Sequence, residues 1–168
     1  MPPLIWFSDA MIGAIDLGKK TETRRFLRFE TSARVDAVTL ANPSTGLVVV
    51  DLTDKQLNFF SPPQSHRIEV ISGYGGVGCV LYVYATGAKR PVGFRLEIVS
   101  MRVERLRDID EPGAHAEGYP SVDAFVEDFI GRYGQRAWKR NPWVRVIGFR
   151  KTSKMPARVD DDIVITLD

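Results

Sequence analysis

With 168 residues, 44% of them hydrophobic, the chain has enough apolar material for one core and no spare length for a second full domain. Its net charge of +2 is too small to indicate a nucleic-acid partner by its sum. The single cysteine, Cys79, excludes an internal disulfide, and with only His66 and His115 beside it no metal-ligand spacing arises, so neither zinc nor another cofactor is expected.

In chain order, Leu4-Ile5-Trp6-Phe7 reads as a short buried strand. It lacks the basic start and long apolar centre of a signal peptide, and no apolar run approaches the roughly 18 residues of a membrane span, so a cytoplasmic protein without a membrane partner is expected. Ser8 or Asp9 can cap a helix with Met11, Ile12, Ala14, Ile15 and Leu17 on its apolar side, and Gly18 ends it. The basic segment Lys19 to Arg25 then enters a strand. There Thr21, Thr23 and Arg25 would face one way and Lys20, Glu22 and Arg24 the other, so Lys20 and Thr23 converge only through a bend or bulge.

Further on, Val35 to Val38 is a poor strand, the turn Asn42-Pro43-Ser44-Thr45-Gly46 precedes a good one at Leu47 to Val50, and a hairpin is expected. Residues 53–67 read as a loop pinned by Phe59-Phe60, followed by a short strand at Ile68 to Ile71. The glycine-dense Ser72 to Gly78 lacks the Lys-Ser/Thr ending of a P-loop and opens no helix, so it reads as a turn. Cys79 to Ala85, Phe94 to Val103 and Val144 to Phe149 are the clearest strands, with Cys79 a small core residue. Asp110 can cap a short helix at Glu111-Pro112 that Gly118 ends, and Ser121 a longer one whose Val122, Phe125, Val126, Phe129, Ile130 and Tyr133 face the core up to Gly134. Trp138 and Trp143 flank a turn at Asn141-Pro142; Trp143 is expected to pack and Trp138 is a candidate for stacking on a base. After Lys151 the tail reads as a linker, with Ile163 to Leu167 a possible extra strand.

An ammonium, a hydroxyl and guanidinium groups crowded behind a helix-ending glycine suit an anion or a carbonyl, whereas the plainer reading is a solvated basic strand edge. Lys19, Lys20, Arg24, Arg25 and Arg28 form one basic cluster, and Arg132, Arg136, Lys139, Arg140, Arg145, Arg150 and Lys151 another. If the two meet in space they form a phosphate-facing surface.

The ordered set Gly18-Lys19-Lys20-Thr21-Glu22-Thr23-Arg24-Arg25, then Leu106-Arg107-Asp108-Ile109 with Ala114-His115-Ala116-Glu117-Gly118, then Trp138 to Phe149 resembles the ASCH domain, in the form found in phage and prophage proteins. The resemblance covers about residues 4–29 and 77–151. It implies an α+β chain with the fold of the PUA-like superfamily, a small β-barrel flanked by helices, occupying residues 1–151 with a tail at 152–168. Members are associated with RNA or modified nucleosides, and some remove the acetyl group of N4-acetylcytidine. In those amidohydrolases a lysine and a threonine of the Gly-x-Lys-x-x-Thr-x-Arg segment act with a glutamate of the Ala-x-x-Glu segment, and the matching positions here are Lys20, Thr23 and Glu117. Lys19, Arg24, Arg25 and Tyr82 are the implied substrate contacts. One departure is plain: phage-type members commonly follow a Leu-aromatic-Val strand with a charged Arg-Glu pair, where this chain has Leu81-Tyr82-Val83-Tyr84-Ala85-Thr86.

A threonine hydroxyl attacks an amide carbonyl only after a base takes its proton. Lys20 serves if burial or cationic neighbours keep it neutral, with Glu117 handling the leaving amine; alternatively Glu117 is the base and Lys20 stabilises the oxyanion. His115 reads as a surface helical residue. The expected partner is a nucleoside or RNA. Three functions fit these residues: hydrolysis of an N-acylated or otherwise modified cytidine, non-catalytic binding of RNA or a modified base, and metal-free ribonuclease chemistry by Lys20 and Arg25. The basic segment is expected at a cleft rim, so that Lys20→Ala would leave the fold stable.

Overall fold

The computed structural model describes residues 3–29, 31–55 and 62–155. Along the chain these form β1 (Leu4–Phe7), α1 (Asp9–Asp16), β2 (Glu22–Phe26), β3 (Arg34–Asn42), β4 (Leu47–Thr53), β5 (Ser65–Val70), β6 (Val80–Ala85), β7 (Pro91–Arg105), a 3-10 turn at Leu106–Asp108, α2 (Glu111–Ala116), α3 (Val122–Tyr133), α4 (Gln135–Arg140) and β8 (Trp143–Thr152). The protein is therefore α+β, with eight strands in two sheets and four α-helices among the described residues. None of those helices is long and apolar enough to cross a membrane. Phe59-Phe60 and Ile163 to Leu167 lie outside the described residues.

The larger sheet has the order β1-β6-β7-β8-β2, with β1 parallel to β6 and every other ladder antiparallel. Its two edge strands, β1 and β2, share no ladder, but the Arg25 guanidinium on β2 donates to Trp6 O on β1 at 2.8 Å. The sheet therefore curls until its ends face each other across a gap spanned by one side chain. Inside the curl lie Ile5, Phe7, Leu81, Val83, Leu96, Ile98, Ile147 and Phe149, joined by Ile15 of α1. Helices cover the opposite face: Phe125 and Phe129 of α3, Ala114 of α2 and Ala137 of α4 pack on Val144 and Val146. The expected aromatic stripe of α3 is thus core, although Tyr133 at its end is exposed.

The capping chemistry read from the sequence is present. Ser8, Asp110 and Ser121 each accept an N–H from the third residue onward, and Gly18 takes a left-handed φ of 71° at the end of α1. Helix α4 was not expected, because its sequence, Gln135 to Arg140, has no side-chain N-cap and only Ala137 and Trp138 to anchor it. It forms because Gly134, with φ 83°, turns the chain after α3 and starts a second short helix instead of a loop.

The smaller sheet, β3-β4-β5, is an antiparallel meander whose Val48, Val50 and Leu52 pack with Leu27 of the main body and against Val103 and Trp143. β3 runs nine residues where the sequence offered a poor four-residue strand, and bulges near Val35 and Leu40 interrupt the alternation that reveals a strand. The glycine-dense segment docks against the turn of this meander. A Cβ on Gly76 would lie 2.3 Å from Pro43 O, so backbone meets backbone there. That close approach, not a phosphate cradle, accounts for the glycine.

Candidate functional site

Lys20 is freed from strand alternation because β2 begins only at Glu22. Both Lys19 N and Lys20 N donate to Ala14 O, which folds the chain back over the end of α1, and Thr21 N donates to Ala116 O at the end of α2. Helix α2 thereby lies along the edge of β2 that no strand occupies. Glu117, its C-cap, completes that cover: its Oε1 accepts Arg24 N at 2.6 Å, an outward-pointing N–H of the edge strand. Its Oε2 accepts from Lys20 Nζ in a close ion pair, and Nζ also donates to the Glu117 carbonyl at 3.0 Å.

The pair is buried, with Lys20 3% and Glu117 5% exposed. The expected position at a cleft rim is therefore corrected: the lysine lies at the floor, because the cap of α1 directs it inward. Burial pushes the Lys20 amine below the ordinary lysine range; the Glu117 carboxylate works in the opposite direction, and Arg25 and Arg24 add smaller downward pushes. A lysine base requires such a shift, and desolvation is its largest cause.

Thr23, 5% exposed, lines the same cavity of about 660 Å³ as Lys20 and Glu117. No hydrogen bond joins its hydroxyl to either of them. Lys20, Thr23 and Glu117 thus share one concavity, with the lysine and glutamate already engaged and, among the described residues, the threonine hydroxyl uncommitted.

The implied substrate contacts divide. Arg25 lines the cavity, its guanidinium 5.0 Å from the Phe7 ring centroid. Arg24 also borders it, but its side chain is held by Glu104 at 2.8 Å and lies near Glu117 at 3.5 Å, so it braces the site. Lys19 is exposed outside the cavity, and Tyr82 on β6 does not line it. Of the second basic cluster, Arg132 and Arg145 reach the cavity. Arg136, Lys139 and Arg140 are exposed elsewhere, and Arg150 and Lys151 pair with Glu97 and Asp16. Trp138, the candidate for base stacking, packs against Phe129 at 5.8 Å and does not line the cavity. His115 is exposed and bonds Pro120 O.

An aromatic ring that does border the cavity is Trp6, which the sequence presents as part of a buried strand. It is 42% exposed and packs at a tilt of 38° on Tyr84, with ring centroids 4.8 Å apart. The strand alternates, with Ile5 and Phe7 buried and Trp6 outward, a pattern too short in four residues to settle its outer face. Tyr119 was also missed. Its hydroxyl donates to Asp128, which pairs with Arg132 at 2.7 Å, and desolvation followed by that hydrogen bond raises its pKa. The residues Val70, Ile71 and Tyr74, from the stretch without a recognisable motif, form a further wall.

No protein-family model matches the chain, and no curated protein or solved structure is significantly similar to it.

Proposed function

We propose that the protein is an amidohydrolase of the ASCH type that acts on N-acylated or otherwise modified cytidine-type nucleosides through Lys20, Thr23 and Glu117. The observation that carries this reading is the buried Lys20–Glu117 pair beside the uncommitted Thr23 hydroxyl in one cavity, with burial holding the lysine amine below its ordinary range. The curl of the five-stranded sheet, with Arg25 reaching Trp6 O across its two edges, supports the PUA-like barrel as its architecture.

The geometry favours one of the two acid–base assignments. Both oxygens of Glu117 already accept hydrogen bonds, one from Lys20 and one from Arg24 N, so the carboxylate is fixed and serves to position the lysine. Neutral Lys20 takes the Thr23 proton as the threonine oxygen attacks the amide carbonyl. The carbon–nitrogen bond then breaks, and the proton passes from Lys20 to the departing exocyclic amine. Water attacks the resulting ester and gives one proton to Lys20, the ester carbon–oxygen bond breaks, and Lys20 returns that proton to the departing Thr23 oxygen as the carboxylic acid leaves.

Incubation with N4-acetylcytidine, followed by chromatography of cytidine, tests this. Turnover should vanish in Thr23→Val, which keeps the shape without the hydroxyl, and in Lys20→Met. Turnover that persists in Thr23→Val refutes the ester intermediate. The missing hydrogen bond between Thr23 and Lys20, together with the exposed Trp6–Tyr84 pair, favours a second reading as a binding module for a modified base. Tight binding of a modified nucleoside without turnover on several acylated ones would select it.

A further inference from the structure

Arg25 and Arg145 stand directly opposite each other in the β2–β8 ladder, so both side chains leave the same face of the sheet, the face that also carries Thr23 and Ile147. Like charges in that arrangement repel. Among the described residues no carboxylate lies within ion-pair distance of either. Arg145 is 5% exposed, and its one hydrogen bond runs from a terminal guanidinium nitrogen to Gly46 O at 3.1 Å. Arg25 makes the single bond to Trp6 O already described. Among the described residues the Nε of each is buried without a partner. A guanidinium removed from water with a buried donor unspent and no counter-charge is costly, and two facing each other more so. Both line the cavity that holds Lys20 and Thr23.

We propose that Arg25 and Arg145 form an anion subsite that takes a phosphate group of the ligand, placing that phosphate next to Thr23. A phosphate offers acceptors to both forks at once, which turns the repulsion into a chelate. The buried, unpaired charge of Arg145 is then the unoccupied half of a binding interaction. If the base lies against Trp6, the ligand is a nucleotide or a nucleotide within RNA, and a free nucleoside leaves half the site empty. The nucleotide identity rests on the nucleoside reading of the cavity; the anion subsite does not.

Calorimetric titration with inorganic phosphate, cytidine, cytidine 5′-monophosphate and a short oligocytidylate without terminal phosphates, at constant ionic strength in chloride, tests the proposal. Phosphate is expected to bind the wild-type chain, and the monophosphate to bind about tenfold or more tightly than cytidine. Arg145→Met and, independently, Arg25→Met should remove phosphate binding and reduce the monophosphate to the affinity of cytidine. Arg25 is the less buried of the two, and circular dichroism confirms which variants are folded. A gain confined to the monophosphate assigns a free nucleotide, and an equal gain in the oligonucleotide assigns RNA. Absence of phosphate binding, or binding unchanged in a folded Arg145→Met or Arg25→Met protein, overturns the subsite. Arginine-dependent phosphate binding with no added affinity from the cytidine moiety keeps the subsite and removes the nucleoside reading.

Discussion

Replacing Lys20 by Met tests whether the site is built on a buried ion pair. The substitution keeps most of the aliphatic packing and deletes an ammonium that gives one hydrogen bond to the Glu117 carboxylate and one to its carbonyl. Removing one partner of a buried pair costs about 3–5 kcal/mol, because the other charge stays behind undercompensated. Glu117 retains Arg24 N at 2.6 Å and the Arg24 guanidinium at 3.5 Å, which places the expected loss below that range, at about 2–3 kcal/mol. For a chain of this length each kcal/mol is roughly 2–4 °C in Tm, so thermal unfolding followed by circular dichroism should show a fall of about 4–12 °C. Combining Lys20→Met with Glu117→Gln removes both charges, and the double variant should recover part of the loss, a coupling read directly from the cycle. A Tm unchanged in Lys20→Met, with additive effects in the double variant, would refute the buried-pair reasoning.

Because burial lowers the Lys20 pKa, the neutral amine becomes available as pH rises through that lowered value, so kcat/KM should climb on an alkaline limb lying below about 10.4. The same group predicts that the native state carries a penalty below its lowered pKa, which disappears as pH rises toward about 10.4; denaturant titrations of wild type and Lys20→Met should diverge over that window. Phe129→Ala should cost about 3–5 kcal/mol in chemical denaturation, since this ring packs against Phe26, Phe125 and Trp138 in the helical core. Gly113→Ala should cost about 1–3 kcal/mol and lower activity as well, because its Cβ would lie 2.8 Å from the Arg24 guanidinium that braces Glu117. Trp6→Ala should weaken nucleoside binding by about 1–3 kcal/mol with little change in Tm, as expected of an exposed stacking surface.

Helices α1, α2 and α3 and the central strands were legible in the sequence because their signals are local. Ser8, Asp110 and Ser121 are caps, and Phe125 and Phe129 recur at helical spacing. The grouping of Lys20, Thr23 and Glu117 was legible only through resemblance, since 97 positions separate the lysine from the glutamate and nothing in their spacing brings them together. What escaped reading depends on where elements meet. Trp6 turns outward on a four-residue strand, and Arg145 sits in a run of apolar strand residues where a charge signals neither exposure nor partner. Arg24 looked like a phosphate contact because a sequence displays charges but not the carboxylates, Glu104 and Glu117, that neutralise them.

The site owes its character to an edge left open. Strand β2 ends the sheet, and its outward backbone N–H at Arg24 needs an acceptor that no neighbouring strand provides. Helix α2 supplies it with the carboxylate of Glu117, and a carboxylate brought to a buried edge requires a cation, which Lys20 provides. The ammonium must then lose its hydration, which lowers its pKa. Edge closure and the lowered pKa of Lys20 are therefore one arrangement, and a change that repairs the edge with a strand would remove the basis of the proposed chemistry. On the other long side of β2 the ladder to β8 sets Arg25 against Arg145, and there no carboxylate of the described residues answers the charge. The contrast between the two sides, one set of cations neutralised by the protein and the other not, separates the proposed reacting groups from the proposed binding groups within a single cavity.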